Sequence, residues 1–504
     1  MTRSKLGIAP WVIVVVGGVV FLLFTGGAYW IYKSITTCGP EVDRIDNQCI
    51  GATDGRVLLS EDLKDVLHKI NEENEQIDNS GDAAVSIAYL IPLPKSPDDK
   101  LAELLRHELQ GAYIAQLRAN QPTEGLPLVR LLVANYGNQS SEWQRVTQNL
   151  LGKVDQPERL VAAVVTGRTV DNTIRAIDAL RSEGVPVIAS RLTGNELTFL
   201  DERRVQGLAR VAPTNNDQAE SIALFLKQTR NSALLVQDDN PDDPYLFSLG
   251  EAFQAKFEDQ THKLLEPPGR YTSTFPGVES RMRGILRDIC EQRPEVVFFA
   301  GRTPALKAFI AASPQRPCPD VPIRVVAGAD AAEFPSEVRS STDLRNALTT
   351  KSANAEVSVV YTSQAHPRSW SGSQDSADSF SSDSMRYLDS GCEGVRCYKN
   401  LFPGEQMDDG AAIIGHDAVT VATSAIHSEQ INDKPGLIIQ EFNSIHGKGA
   451  VPGASGWISL DENGNTVNKA VAILQVKPDG TVQWLGLNSR DGLPCKPNDT
   501  TRPC

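Results

Sequence analysis

The chain has 504 residues, of which 40% are hydrophobic and 22% charged; this is the composition of a folded soluble protein and excludes a largely disordered or collagen-like chain. A polytopic membrane protein would be far more apolar. The formal net charge is −14, whereas a nucleic-acid-binding surface needs clustered lysine and arginine. From the length we expect about three domains, and from the charge no nucleic-acid partner.

An uncharged apolar segment near the N-terminus departs from this average. Residues 10–32 (PWVIVVVGGVVFLLFTGGAYWIY) carry no charged side chain, and a helix of this length, at about 1.5 Å per residue, crosses a hydrocarbon core of about 30 Å. Arg3 and Lys5 precede it, so the positive-inside rule places residues 1–9 in the cytoplasm and the chain after the helix outside. The sequence thus predicts a single-pass cell-membrane protein that is mostly extracellular.

The cysteines support this extracellular placement. All of them follow the apolar segment and their number is even, which suits disulfides in an oxidising compartment. Closeness along the chain suggests the pairs Cys38–Cys49, Cys290–Cys318, Cys392–Cys397 and Cys495–Cys504, although other pairings stay possible. Tight CxxC pairs are missing, so we expect no metal site. Cys38 also ends the phrase Ile-Thr-Thr-Cys, which faintly resembles a lipoprotein box, so a lipid anchor is an alternative to the transmembrane helix.

Residues 33–81 are expected to form a juxtamembrane segment with a disulfide-closed loop. The segment contains an amphipathic helix, whose apolar side chains repeat with the i, i+3, i+4, i+7 spacing of one helical face. These side chains are Leu63, Val66, Leu67 and Ile70.

From residue 83 onward, short apolar strands alternate with helical patterns in two successive blocks. The first block has predicted strands at 84–93, 128–137, 160–167, 185–190 and 207–213. The second block has predicted strands at 232–239, 294–301 and 321–330. Such alternation requires crossover helices on the faces of a parallel sheet, so the pattern predicts two α/β units. Further on, an apolar helix is predicted at 408–427, and Asn-Gly and Asp-Gly turns predict hairpins among 456–461, 469–477 and 481–487.

Five phrases in this order resemble the type 1 periplasmic-binding-protein family, and most closely its amino-acid-binding and receptor ligand-binding branch. They are TVDNTIRAIDALRSEGVPVIASRLTGNEL (169–197), RVAPTNNDQAESIALFL (210–226), ALLVQDDNPDDPYLFSLGEAFQAKF (233–257), GHDAVTVATSAI (415–426) and VPGASGWISLDENGN (451–465). The resemblance extends over roughly residues 84–487. It implies two lobes, each a doubly wound parallel sheet, joined by three strand crossings around a ligand cleft. The expected bounds are 82–208 and 356–452 for the first lobe, 209–355 and 453–488 for the second, and 489–504 for a C-terminal tail.

The ligand should contact loops just after the strands, because open α/β sheets bind ligands beyond the carboxyl ends of their strands. The resemblance implies that Ser190 and Thr193 hold a ligand carboxylate and that Tyr245 stacks on the ligand. Arg168 is expected either to grip an anion or to sit on the rim of the cleft. The acidic stretch around Asp239 is expected either to receive an ammonium group or to be a solvated loop. The full set of expected ligand-binding residues is Arg168, Thr169, Ser190, Thr193, Asp239, Tyr245, Arg302 and Asp330.

Sequence motifs of catalysis are missing. The chain has no G-x-S-x-G, no H-E-x-x-H and no Walker A motif, so we expect a protein that is not an enzyme and holds no cofactor. The leading hypothesis is a membrane-tethered, extracytoplasmic solute-binding protein that closes on a small polar ligand and delivers it to an ABC-type permease. The loop after the first strand (PLPKSPDDKLAEL) lacks the family's small-residue turn, which weakens the case for an amino-acid ligand. A membrane-anchored ligand sensor of the same fold and a ligandless interaction scaffold are the alternatives.

Overall fold

The computed structural model describes residues 37–96, 99–121, 123, 125–199, 206–349, 356–371, 379–389, 391–428, 434–497, 499 and 504. The predicted cytoplasmic residues 1–9 and the predicted transmembrane segment 10–32 lie outside this part of the chain. Within it, no helix combines the length and the apolar composition that a membrane crossing requires.

The first lobe is built on a sheet with helices on both faces. Its elements are β1 (Thr37–Gly39), β2 (Val42–Ile45), β3 (Gln48–Thr53), α1 (Lys64–Ser80), β4 (Ala84–Ile91), α2 (Leu101–Ala119), β5 (Leu128–Asn135), α3 (Trp143–Leu151), β6 (Leu160–Val165), α4 (Asp171–Ser182), β7 (Val187–Ala189) and β8 (Leu208–Arg210). The strand order is β1-β2-β3-β5-β4-β6-β7-β8, and β5, β4, β6, β7 and β8 run parallel. Every residue of the central strand β4 is buried, as its continuous apolar run predicts.

The second lobe repeats this plan. Its elements are α5 (Asn215–Lys227), β9 (Ser232–Asp238), α6 (Pro244–Phe257), β10 (Lys263–Leu264), β11 (Gly269–Tyr271), α7 (Val278–Gln292), β12 (Val296–Ala300), α8 (Thr303–Ala312), β13 (Ile323–Ala327), α9 (Phe334–Ser340), α10 (Thr342–Thr349) and β14 (Val357–Ser363). The strand order is β10-β9-β12-β13-β14-β15-β16, where β15 is Val471–Val476 and β16 is Val482–Asn488. Strands β9, β12, β13 and β14 run parallel, whereas β15 and β16 are antiparallel additions.

The chain between β14 and β15 returns to the first lobe. It forms α11 (Ser382–Met385), α12 (Tyr398–Leu401), α13 (Ala411–Ile426) and α14 (Pro435–Phe442). The predicted apolar helix is α13, which is buried along its length and packs on α2 in the main core of the first lobe. The two helices approach closely because Gly111 of α2 lies against Ala412, and Gly415 of α13 lies against Glu108.

The predicted juxtamembrane segment is part of the first lobe, which corrects the expected boundary at residue 81. Strand β3 pairs antiparallel with β5, with Gly51 opposite Asn135. Helix α1 packs on β5, and the amide of Asn74 donates to the carbonyl of Leu131 at 2.9 Å. The apolar side chains Leu63, Val66, Leu67 and Ile70 are buried, as their spacing predicts. The strands were not foreseen because they are short and polar at their ends.

The lobe boundaries differ from the expected ones at the crossings. Strand β14 lies in the second sheet, parallel to β13, so the chain leaves the second lobe after Ser363 and not at residue 356. Val359 and Tyr361 are buried in the core of that lobe. The first crossing follows Arg210, because β8 is still paired with β7 in the first sheet. Apolar patterning marks a buried strand but does not say which of two sheets it joins.

The disulfides and the C-terminal hairpin agree with the sequence. The structure pairs Cys38 with Cys49, Cys290 with Cys318, Cys392 with Cys397 and Cys495 with Cys504, as closeness along the chain suggests. Strands β15 and β16 form the predicted hairpin around the Pro-Asp-Gly turn. The prediction of a strand at 456–461 is wrong, since that stretch makes only the isolated bridges Val451 to Ile458 and Leu460 to Thr466.

Candidate functional site

The carboxyl ends of the two parallel sheets meet at the gap between the lobes, which we call the interlobe cleft. In the first lobe its walls are the segments that follow β4, β6 and β7. In the second lobe they are the segments that follow β9, β12 and β13. Strand ends of open α/β sheets are where such folds bind ligands, so this is the candidate site.

Arg168 connects the two lobes across the cleft. It follows β6, and its Nη2 donates to both carboxylate oxygens of Glu333 in the second lobe at 2.8 Å. Its Nε lies 3.6 Å from Oδ1 of Asp330. The side chains of all three residues are largely buried. The anion grip that the sequence predicts for Arg168 is therefore occupied by carboxylates of the chain itself.

Arg302 organises the second-lobe side of the cleft. Its Nε and Nη2 donate to the two carboxylate oxygens of Asp243 at 2.8 Å, and its Nη1 donates to Oδ1 of Asp330 at 2.8 Å. Its Nη2 also donates to the carbonyl of Thr169 in the first lobe at 3.3 Å. The guanidinium carbon lies 4.1 Å from the centre of the Tyr245 ring. The fold thus gathers three further predicted residues, Thr169, Tyr245 and Asp330, around Arg302 and Arg168.

The carboxylates that share these guanidinium groups have pKa values that move apart. Burial acts to raise the pKa of Asp330, but Arg302 and Arg168 outweigh burial and hold that pKa below its ordinary value. At Glu333 burial dominates and raises the pKa, with Arg168 opposing it and Asp330 adding to it. Glu333 is therefore the carboxyl of this pair that keeps a proton more readily.

A buried carboxyl from α2 forms the first-lobe wall. Glu108 is fully buried, and its Oε1 accepts hydrogen bonds from the Tyr89 hydroxyl at 2.8 Å and the Ser190 hydroxyl at 2.5 Å. Its Oε2 accepts from the Thr166 hydroxyl at 2.8 Å. Burial raises the pKa of Glu108 above its ordinary value. The hydroxyl of Ser190, expected to hold a ligand carboxylate, is instead bonded to Glu108.

The remaining predicted residues lie at the margins of the cleft. Thr193 is buried, and its carbonyl accepts the backbone N–H of Asn215 at 2.7 Å, which places it at the first crossing. Asp239 pairs with Arg270 at 2.7 Å on the outer rim of the second lobe. Asp239 is thus not brought to the cross-lobe ion pairs. Its neighbour along the chain, Asp238, lies inside.

Buried polar groups on the floor of the second lobe lack hydrogen-bond partners among the described residues. Among the described residues, no hydrogen bond reaches Oδ2 of Asp238 or the hydroxyl of Tyr271, although both atoms are buried. The floor is glycine-lined, because a Cβ at Gly301 would lie 2.1 Å from the Tyr271 hydroxyl and one at Gly328 would lie 2.5 Å from that of Tyr245. Buried polar groups without partners are uncommon and mark places where a ligand or water completes the structure.

A cavity of about 420 Å³ adjoins the cleft between the lobes. The N-terminal turns of α2 and the 404–409 loop form its first-lobe wall, and residues 332–339 and the β15–β16 turn form its second-lobe wall. Glu333 belongs to this wall, so the cavity is continuous with the ion pairs. Its volume lies within the range of small-molecule sites, about 300–1,000 Å³.

Several site residues escaped prediction because they do not follow a strand directly. Glu108 lies within a helix, Glu333 ends a short 3-10 helix, and Asp243 precedes α6. The one available signal was a charged residue on an otherwise apolar helix face, as in the phrase LLRHELQG around Glu108. The described residues contain no group of three or more His, Cys, Asp or Glu side chains arranged to hold a metal ion.

Solved structures of other proteins are similar to this chain in fold. No protein-family model matches the chain, and a search of curated proteins finds no match. A leucine-binding protein from Thermotoga maritima has 18% identity and a TM-score of 0.59, with 80% of this chain and 98% of that chain covered. A branched-chain amino acid substrate-binding protein from Streptococcus pneumoniae, in complex with isoleucine, has 15% identity and a TM-score of 0.58, with 81% and 99% covered.

A solute-binding protein of an ABC transporter from R. palustris, in complex with 4-hydroxybenzoate, has 12% identity and a TM-score of 0.56, with 80% of this chain and 96% of that chain covered. All three structures are described as binding proteins. The predicted resemblance is confirmed at the level of the fold: the chain has the two-lobe α/β fold of the type 1 periplasmic-binding proteins.

Proposed function

We propose that the chain is a membrane-tethered, extracytoplasmic solute-binding protein whose lobes close on a small polar ligand, and that it serves an ABC-type importer as the substrate-binding component. The observation that carries this proposal is the interlobe cleft. There, buried charged groups from both lobes converge at the strand ends, beside a cavity of about 420 Å³.

Independent features support the proposal. Neighbours of the same fold hold isoleucine or 4-hydroxybenzoate, which are small polar solutes. The disulfides suit an oxidising compartment outside the cytoplasm. The apolar segment 10–32 is long enough to act as the tether.

Solute binding requires a change at Arg168. In the structure Arg168 of the first lobe and Glu333 of the second form an ion pair across the cleft. A solute enters when the lobes part about the crossings, as hinged binding proteins do, and then takes the place of part of this ion pair. The free energy of solute binding must therefore exceed the free energy of the part of the Arg168–Glu333 ion pair that the solute displaces.

The same ion pair favours a second candidate function. A cleft closed permanently by its own charged side chains would leave no room for a solute, and the chain would then act as an interaction scaffold. The two functions differ in whether any small molecule stabilises the protein.

A thermal-shift screen of the full chain in detergent separates these functions. Amino acids, hydroxybenzoates, amides and sugars are added, and a ligand at 100 times its Kd is expected to stabilise the native state by about 2.7 kcal/mol. Arg168→Gln should weaken that stabilisation, whereas the matched control Arg270→Gln, on the rim, should keep it. If no compound raises the melting temperature, the solute-binding function is rejected in favour of the scaffold.

A further inference from the structure

Arg191 occupies the cleft directly after Ser190, at the end of β7. Its backbone is fixed, because its carbonyl accepts a hydrogen bond from the Gln364 side chain at 2.8 Å. Gln364 belongs to the crossing that follows β14. The guanidinium group of Arg191 is therefore presented from a position held by both the first sheet and a connection between the lobes.

Among the residues that the structure describes, no carboxylate forms an ion pair with the guanidinium group of Arg191. Its Nη1 is buried and bonds to no described residue, and no described carboxylate lies within 4.0 Å of its nitrogens. Its charge still reaches both lobes, since it opposes the effect of burial on the pKa of Glu108 in the first lobe and of Glu333 in the second. Arg191 thus interacts electrostatically with a buried carboxyl group of each lobe.

The neighbouring carboxyl groups are already engaged. Glu108 accepts hydrogen bonds from three hydroxyl groups. Glu333 forms an ion pair with Arg168, and Asp409 lies 2.5 Å from Nδ1 of His107. Arg302 is likewise paired with Asp243 and Asp330. In a cleft where the other arginines are paired, an arginine without a carboxylate is an open anion-binding position, since a planar guanidinium matches a carboxylate in two parallel hydrogen bonds.

We propose that Arg191 receives the anionic group of the solute, a carboxylate, and makes the cleft selective for anionic over uncharged solutes. The inference rests on the proposed function, because it places the solute in the same cleft. It differs from the expectation drawn from the sequence, in which the hydroxyl of Ser190 holds the carboxylate, because that hydroxyl is bonded to Glu108.

Benzoate and benzamide form the matched pair of probes. Both are flat and of similar size, and neither carries an ammonium group, so they differ in the charge that Arg191 would bind. Calorimetric titration of the full chain in detergent should show benzoate binding at least tenfold more tightly than benzamide. Arg191→Gln should weaken benzoate binding roughly 10- to 100-fold, Arg191→Lys should restore part of it, and Arg270→Gln should leave it unchanged.

A melting curve without any probe tests whether Arg191 is merely structural. An unpaired, partly buried charge costs free energy, so Arg191→Gln should melt at the same temperature as the wild type or higher. A clear loss of stability in Arg191→Gln would overturn the inference. Equal binding of benzoate by the wild type and Arg191→Gln, or no binding of benzoate by the wild type, would also overturn it.

Amide hydrogen exchange keeps this inference distinguishable from the proposed function. If benzoate binds through Arg191 but slows exchange in the first lobe alone, Arg191 is an anion site and closure of the lobes on a solute is rejected. If another solute protects both lobes while benzoate does not bind, solute binding stands and the assignment of Arg191 is rejected.

Discussion

His107 illustrates how long-range contacts decide the chemistry of single residues in this protein. It is almost fully buried on α2, with Nδ1 at 2.5 Å from Asp409 and Nε2 at 2.9 Å from Glu405. Burial alone would lower its pKa, but the two carboxylates outweigh burial and raise the pKa to about 10. The sequence did not reveal this, because both partners lie about 300 residues further along the chain.

The raised pKa of His107 predicts a pH-dependent stability. Its native pKa, about 10, lies above the ordinary value of 6.5, so its stabilising contribution is complete below pH 6.5 and is lost as the pH rises through 10. The lost free energy is on the order of 1.4 kcal/mol per pKa unit. Denaturant unfolding of the wild type between pH 6 and pH 10 should show this decline, and His107→Gln should show much less of it.

A surface histidine provides the control for this experiment. His68 is exposed and lies 3.2 Å from the exposed Glu72, so His68→Gln should keep the wild-type pH dependence. Equal slopes for the wild type and His107→Gln would contradict the assignment of a buried imidazolium.

The position of a site residue relative to the strands decided whether the sequence revealed it. Arg168, Arg302 and Asp330 come just after apolar strands, and this position alone predicts that they face the cleft. Glu108 and Glu333 lie on helical segments, where a charged residue is ordinarily solvated. Their burial depends on packing between distant segments, which periodicity does not record.

At the scale of elements, the contact between α2 and α13 is the tightest constraint on the first-lobe wall. A Cβ at Gly111 would lie 1.8 Å from the carbonyl oxygen of Ala412, and one at Gly415 would lie 2.0 Å from that of Glu108. The two glycines therefore let the helix backbones touch. This contact fixes the segment of α2 that carries Glu108 into the cleft.

Gly111→Ala should destabilise the protein, although alanine is the better helix former. In an exposed helix this substitution stabilises by about 1 kcal/mol, but here the new methyl group overlaps the facing backbone, and overpacking costs about 1–3 kcal/mol or more. Gly436→Ala is the matched control, because no atom lies within 4 Å of a Cβ built at this position in α14. Denaturant midpoints should fall for Gly111→Ala and stay level or rise for Gly436→Ala; the same change in both would contradict the close helix contact.

At the scale of the whole molecule, the order of strands and helices along the sequence was enough to predict most of the fold. Two blocks of alternating strands and helices were enough to predict two parallel sheets, and the resemblance to the type 1 periplasmic-binding-protein family added the cleft. The assignment of β1–β3 and β14 was not predictable, since the partner of a strand is set by neighbours far away in the chain. The closed state of the cleft depends on cross-lobe ion pairs and was likewise not visible in the sequence.

Amide hydrogen exchange of the full chain, with and without the first solute that raises its melting temperature, tests lobe closure most directly. If the lobes close on the solute, exchange slows both in residues 166–170 of the first lobe and in residues 328–333 of the second. Arg168→Gln should weaken both effects. Protection confined to one lobe, or no protection by any solute of the panel, would contradict lobe closure.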